Sequence, residues 1–213
     1  MPRRLFTSLA LLPLLLALAP AAARADDASD ELFKAWQAFL AVKSFRAEIR
    51  TLEPSRSVTR LEFQAPDRYR VSIVNGPTTV VIGDSGYMQI GGRTMKLPMA
   101  MDSLTAQYRD EAFLRKLQEG MAVEDLGEDS LDGEPVRKFR YVQAVAPPSA
   151  MPGAPAAASG SGSGEATTVA WVSTRNRLIL KLEVSSRHDG QATRSEILYS
   201  DFNSAAIRIQ PPE

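Results

Sequence analysis

Residues 59–90 read TRLEFQAPDRYRVSIVNGPTTVVIGDSGYMQI, and their spacing decides the fold class. Thr59, Leu61 and Phe63 alternate with charged residues, and Tyr69, Val71 and Ile73 do so again after the turn residues Ala65-Pro66-Asp67. Period two is the mark of a strand with one buried face. Val80 to Ile82 and Tyr87 to Ile90 add two more strands, separated by residues that tolerate positive φ, Gly83-Asp84-Ser85-Gly86. Gly91-Gly92 turns the chain once more, and Met95 and Leu97 alternate onward until Pro98. Upstream, Phe45, Ala47 and Ile49 alternate with Arg46, Glu48 and Arg50. The stretch is an antiparallel meander.

The tetrapeptide Gly83-Asp84-Ser85-Gly86 also surrounds the nucleophile of chymotrypsin-like proteases, so hydrolysis has to be weighed. A serine nucleophile needs a base held by a carboxylate. The single histidine, His188, lies in the turn-like Ser186-Arg187-His188-Asp189-Gly190, downstream instead of upstream, and Tyr87 stands where an α/β-hydrolase elbow has its last glycine. The tetrapeptide therefore reads as a turn, and the chain as a non-enzyme.

Helical spacing brackets the meander. Leu32, Phe33, Trp36, Phe39 and Leu40 form one apolar stripe behind a candidate cap, Asp30. A second helical region is expected from Leu104 through Tyr108, Phe113 and Leu114 to Leu117, ended by Gly120. Strands then resume: Ala122 to Leu126 and Val136 to Val142 about the Asp132-Gly133 turn, then Thr167 to Ser173, Leu178 to Ser185, Gln191 to Tyr199 and Ala206 to Ile209. Residues 144–165, AVAPPSAMPGAPAAASGSGSGE, have almost nothing to anchor a core and read as a flexible loop between strands.

The amino terminus speaks to compartment. Residues 1–25 place Arg3 and Arg4 before an apolar run from Leu5 to about Ala19, followed by Ala23-Arg24-Ala25, the form of a secretory signal cut before Asp26. Pro13, Pro20 and Arg24 leave the run too short for a bilayer span, which takes about 20 apolar residues. The chain has no cysteine, so it has neither a disulfide nor a thiol to carry a lipid. Cleavage would remove three arginines and no acid, turning 25 basic and 25 acidic residues into 22 and 25, a net charge near −3. That balance argues against nucleic acid, because Arg68-x-Arg70 and Arg137-Lys138-x-Arg140 are interrupted by apolar residues at strand spacing. Residues 26–213 are expected to form one periplasmic domain, soluble after cleavage.

Four stretches resemble the periplasmic lipoprotein carriers of the LolA type. They are Val42-Lys43-Ser44-Phe45-Arg46-Ala47 after the first helix, Leu61 to Arg70 with its proline turn, Val81 to Met88, and Asp201-Phe202-Asn203 through Ile209 to Pro211-Pro212. The resemblance implies an α+β fold, an incomplete antiparallel β-barrel covered by helices over an apolar cavity. It also implies acyl chains of lipid or lipoprotein as ligand, and a membrane-bound donor or acceptor as partner. Carriers of this type tend to have an arginine before the proline of the second stretch, tied to cargo release; here that place is Ala65.

A half-barrel keeps one sheet face apolar, and loose helical cover leaves room for acyl chains. Candidate lining residues are Phe63, Tyr69, Val71, Ile73, Met88, Ile90, Met95, Leu97, Trp171, Leu180 and Leu182. Met88, Met95, Met99, Met101 and Met121 would suit a surface that repacks around varied chains. A copper(I) reading of Met95, Met99 and Met101 lacks cysteine or nearby histidine, and no acidic cluster has zinc or calcium spacing, so no metal or cofactor is expected. The competing class is a regulatory or assembly module on the same scaffold, using residues 144–165 or a strand edge as its contact.

Overall fold

The computed structural model describes residues 21–54, 56–101, 115, 121–145, 164–188 and 191–212. Helix α1 (Ala21–Leu40) precedes eleven strands. They are β1 (Ser44–Glu53), β2 (Ser57–Gln64), β3 (Arg68–Ile73), β4 (Thr78–Ile82), β5 (Ser85–Ile90) and β6 (Arg93–Lys96), then β7 (Ala122–Leu131), β8 (Glu134–Val145), β9 (Gly164–Ser173), β10 (Ile179–His188) and β11 (Gln191–Ser200). They form one antiparallel sheet in the order β6-β5-β4-β3-β2-β1-β11-β10-β9-β8-β7. The first and last strands of the domain, β1 and β11, pair in the middle, so β6 and β7 are the outermost strands of the described sheet. The expected α+β open sheet is present, with helix α1 the one full helix among the described residues; the expected second helix, 104–117, lies outside the described residues except Arg115.

Two-residue turns make three of the described hairpins, at Gly83-Asp84, Gly91-Gly92 and Asp132-Gly133. Asp132 (φ 50°) and Gly133 (φ 84°) join β7 to β8 in the left-handed region that lets a tight turn match strand twist. The loop expected at 144–165 is shorter at both ends, because Ala144 pairs with Glu165 and Val145 with Gly164; its remainder, 146–163, lies outside the described residues.

Helix α1 buries Ala28, Leu32, Ala35 and Phe39, a four-three-four spacing that keeps one stripe on the sheet. It begins before Asp30, which is therefore inside the helix and not its cap. The run Ala21-Ala22-Ala23, of the strongest helix-forming residue, carries the helix backwards. The stripe rests on the inner faces of β7 to β10, against Val123, Phe139, Ala170, Val172 and Leu182. A ladder of rings continues this core across the seam: Phe39 to Phe45 at 4.9 Å, Phe45 to Phe63 at 5.2 Å and Phe63 to Tyr69 at 5.1 Å between centroids.

The chain end differs from the strand expected at 206–209. Ile207 and Ile209 are buried, but they pack on the outer face against Val80, Ile82 and Tyr87 without joining the ladder. Arg68 Nη1 donates to the Ile209 carbonyl at 2.8 Å, and Gln64 Oε1 accepts from the Ile209 N–H at 2.8 Å. The alternation of isoleucines is real, and side-chain packing, not strand pairing, satisfies it.

Candidate functional site

Cross-strand register sorts every described strand residue onto one of two faces. Through the middle of the sheet, Ile197 pairs with Ile49, Ile49 with Thr59 and Thr59 with Ile73. The adjacent inner row runs Leu61–Val71–Thr79–Met88–Met95. From β9 to β5 in sheet order, the inward register positions of the described strands hold no Asp, Glu, Lys or Arg; they are apolar, hydroxyl-bearing or glycine except His188 and Gln191, which pair at the end of the β10–β11 hairpin. Among the described strands, inward Asp, Glu, Lys and Arg stand at the two margins: Asp125, Glu128 and Arg137 on β7 and β8, and Arg93 on β6.

The outer face of the same strands has the opposite character. Arg46 bridges Glu62 and Asp201 at 2.9 Å each, and Arg70 reaches Glu62 at 2.7 Å. Lys181 sits between Glu196 (2.7 Å) and Glu183 (2.9 Å), and its ammonium holds the Glu196 carboxyl below the usual carboxylate range against the opposing effect of desolvation. An outer depression of about 560 Å³ lined by Arg46, Glu48, Arg60, Glu62 and Arg70 is a charged groove, unsuited to an acyl chain.

The candidate lining residues divide on this frame. Phe63, Tyr69 and Leu182 are inward but belong to the packed core. Val71, Ile73 and Met88 face inward beyond that core, Val71 buried and the other two half-buried. Ile90 and Met95 face inward at the rim and are exposed by 51% and 52%. Leu97 and the buried Met101 lie over Gly86, where an added Cβ would come within 3.0 Å and 2.9 Å of them, so glycine there makes room for the cover.

Two residues depart from expectation. Trp171 is on the outer face: it pairs with Lys181 and Lys138, whose ammonium groups stand 4.7 Å and 5.8 Å from its ring, a cation–π arrangement with no inward component. Leu180 sits in a bulge between Ile179 and Lys181, and Ile179 takes the inward place, fully buried, while Leu180 stays outside both core clusters. Of the methionines, Met88 and Met95 pair across β5 and β6, Met101 is buried over Gly86, and Met99 is half exposed.

Sequence reading missed the margin at β7 and β8. Arg137 points inward and bridges Asp125 of β7 and Glu31 of α1, fixing the helix to the sheet. The Arg137 guanidinium holds the Asp125 carboxyl below its ordinary range, helped by the Gly127 N–H and opposed by partial burial. The signal was available, because Asp125 and Arg137 fall in phase with Val123 and Phe139. Also missed were the inward hydroxyls Thr51, Thr79, Thr168 and Ser195, all buried; among the described residues Ser195 Oγ has no hydrogen-bond partner. Burial pushes the phenols of Tyr141 and Tyr199 above their ordinary range, so both are neutral at any physiological pH.

No acid–base pair is assembled at Ser85. It opens β5, its hydroxyl donates to Asp84 at 3.2 Å, and its pairing with Ile82 puts it on the outer face. Five strands separate β5 from β10, which carries His188. No group of three or more acidic or histidine side chains that could hold a metal occurs among the described residues.

Comparison with solved structures now has a geometry to bear on. LppX, a lipoprotein of Mycobacterium tuberculosis, superposes with a TM-score of 0.63 at 15% identity, covering 87% of this chain and 99% of LppX. LprF from Mycobacterium bovis gives 0.60 at 14% identity, covering 88% and 97%. The fold is theirs. The LolA-like resemblance read from four stretches of sequence thus holds as a fold spanning most of the chain, at an identity too low to transfer a ligand. No family model and no curated protein sequence matches the chain.

Proposed function

We propose that the protein is an exported, non-enzymatic carrier that binds acyl chains of a lipid or lipoprotein on the inner face of its half-barrel. One observation carries the reading: from β9 to β5 the inner face of the described strands holds no Asp, Glu, Lys or Arg, its one histidine position being at the far end of the β10–β11 hairpin, while the outer face of the same strands is a lattice of ion pairs. A charge facing the chain would cost several kcal/mol of desolvation, and this surface has none over the breadth an acyl chain would cover. Scattered inward hydroxyls are compatible with ester oxygens. Nothing comparable favours hydrolysis or metal chemistry.

Residues 1–25 act in this reading as a cleaved leader, leaving Asp26–Leu40 of α1 to cover the sheet. Among the described residues no helix is long and apolar enough to cross a membrane. The place before the proline is Ala65, whose N–H donates to the Lys43 carbonyl at 2.7 Å. An alanine offers no side-chain switch there, so the reading is of a binding protein without the arginine-linked release of LolA-type carriers.

Ile73→Glu tests it. The residue faces inward and is half-buried, so the folded state has space to hydrate a carboxylate, and an acyl chain passing it does not. The expected result is a native far-ultraviolet circular dichroism spectrum with retention of a fluorescent fatty acid reduced at least tenfold. A folded variant that retains the probe like wild type, or a wild type that retains none, would sink the proposal.

A further inference from the structure

We propose that the β5–β6 hairpin is a docking edge for an anionic lipid bilayer. The three most exposed large apolar side chains among the described residues, Met95 (52%), Ile90 (51%) and Met99 (50%), all belong to this hairpin or the three residues after it. From Ser85 to Met101 the chain has two charged residues, Arg93 and Lys96, both positive. Among the described residues neither makes an ion pair, whereas the bases of the other strands are paired with carboxylates, Arg46, Arg50, Arg70, Arg140 and Lys181 among them, with Arg68 and Arg187 as the exceptions. The local sign is opposite to that of residues 26–213, with 22 bases and 25 acids. Unpaired bases interleaved with exposed apolar side chains are complementary to a surface that is acidic outside and apolar beneath.

The shape agrees. Gly91 (φ 56°) and Gly92 (φ 78°) make the tip, and a Cβ at either would touch nothing within 4 Å, so no side chain keeps the tip off a flat surface. Arg93 pairs with Ile90 on the inner side, and Lys96 pairs with Tyr87 on the outer side, so the two bases straddle the hairpin. Strand addition by a partner protein would find only the four residues of β6 to pair with, a short edge for that mode. The inward row Val71–Thr79–Met88 ends at Met95, which places the hairpin where the uncharged inner face meets solvent.

The proposal goes beyond the acyl-binding reading and does not depend on it. The experiment is vesicle flotation of the protein recovered after export, with intact mass confirming one N-terminus for all variants, using phosphatidylcholine vesicles with and without phosphatidylglycerol. Wild type is expected to float with the anionic vesicles and to be released by high salt. R93Q/K96Q should weaken partition roughly 25-fold, since each base near an anionic surface is worth about fivefold. M99S should weaken it severalfold, and R177Q/R208Q, which removes two bases elsewhere, should leave it unchanged. Equal loss in R177Q/R208Q would reduce the effect to general charge and overturn the proposal. So would a wild type that ignores anionic vesicles, or a dimer in solution that R93Q/K96Q or M99S breaks, which would make the edge a contact between copies. Fatty-acid retention by wild type with no flotation would overturn docking and leave the carrier standing; flotation without retention would do the reverse.

Discussion

The two halves of the sheet treat the same apolar inner face differently. Under α1, the inner face of β7 to β10 is a filled core in which Phe139, Ala170 and Ile179 are at most 1% exposed. Across the β1–β11 seam, the row from Val71 through Met88 to Met95 goes from buried to half-buried to exposed without ever becoming charged. Apolar side chains under a helix need no explanation beyond stability. A graded, uncharged surface that opens to solvent, in a protein that decorates its other face with ion pairs, is the half in which to look for function.

The largest effect that would sharpen this contrast is on stability. Phe139→Ala removes a ring from the filled half and should cost about 3–5 kcal/mol in a urea melt, as large-to-small core changes do. Met88→Ala, in the open half, should cost clearly less, because water or neighbouring side chains can take up the space. Equal losses would mean that both halves are filled cores.

A smaller effect concerns the margin that holds the helix. Arg137→Ala breaks the bridge from Asp125 to Glu31, and because the three side chains are 29–47% exposed the loss should be only about 0.5–1 kcal/mol at neutral pH. The sign with pH follows from Asp125. Its folded pKa is depressed, first by Arg137, so its contribution is present above the ordinary carboxylate range near 4 and is lost as pH falls through the folded value. The gap between wild type and Arg137→Ala in thermal melts should therefore be full at pH 6 and shrink below about pH 4. A gap that widens in acid would contradict the assignment.

How the halves are built was legible unevenly. The strands of the meander were plain, because Phe45, Ala47 and Ile49 alternate with three charged residues and fix both the period and its sign. In β9 the period was plain but its sign was not. Thr168, Ala170 and Val172 face one way and Thr167, Val169 and Trp171 the other, and both sets are apolar enough to be inner. Trp171 belongs to the outer set, where Lys138 and Lys181, distant in sequence, cover its ring. Leu180 failed for a different reason, since a bulge changes parity and leaves no mark in composition. In the Asp125–Arg137–Glu31 bridge the first two face each other across one hairpin, 12 positions apart, but Glu31 is 106 positions from Arg137, and only the seating of α1 brings it there.

The smallest expected effect returns to the serine, and it separates the faces as well as the chemistries. Ser85 heads β5 on the outer face, opposite Ile82, and its hydroxyl makes one bond, to its neighbour Asp84. The two-residue turn before it is held by backbone pairing and by Gly83 at φ 57°, neither of which needs the hydroxyl. Ser85→Ala should shift stability by less than about 0.5 kcal/mol, the usual range for surface changes. It should also leave fatty-acid retention untouched, because the side chain points away from the inner face that Ile73→Glu is meant to disable. A nucleophile would behave otherwise: a fluorophosphonate probe would label wild type and not the alanine variant. Such labelling would assign chemistry to the charged side of the sheet, and the division of labour between its two faces would have to be redrawn.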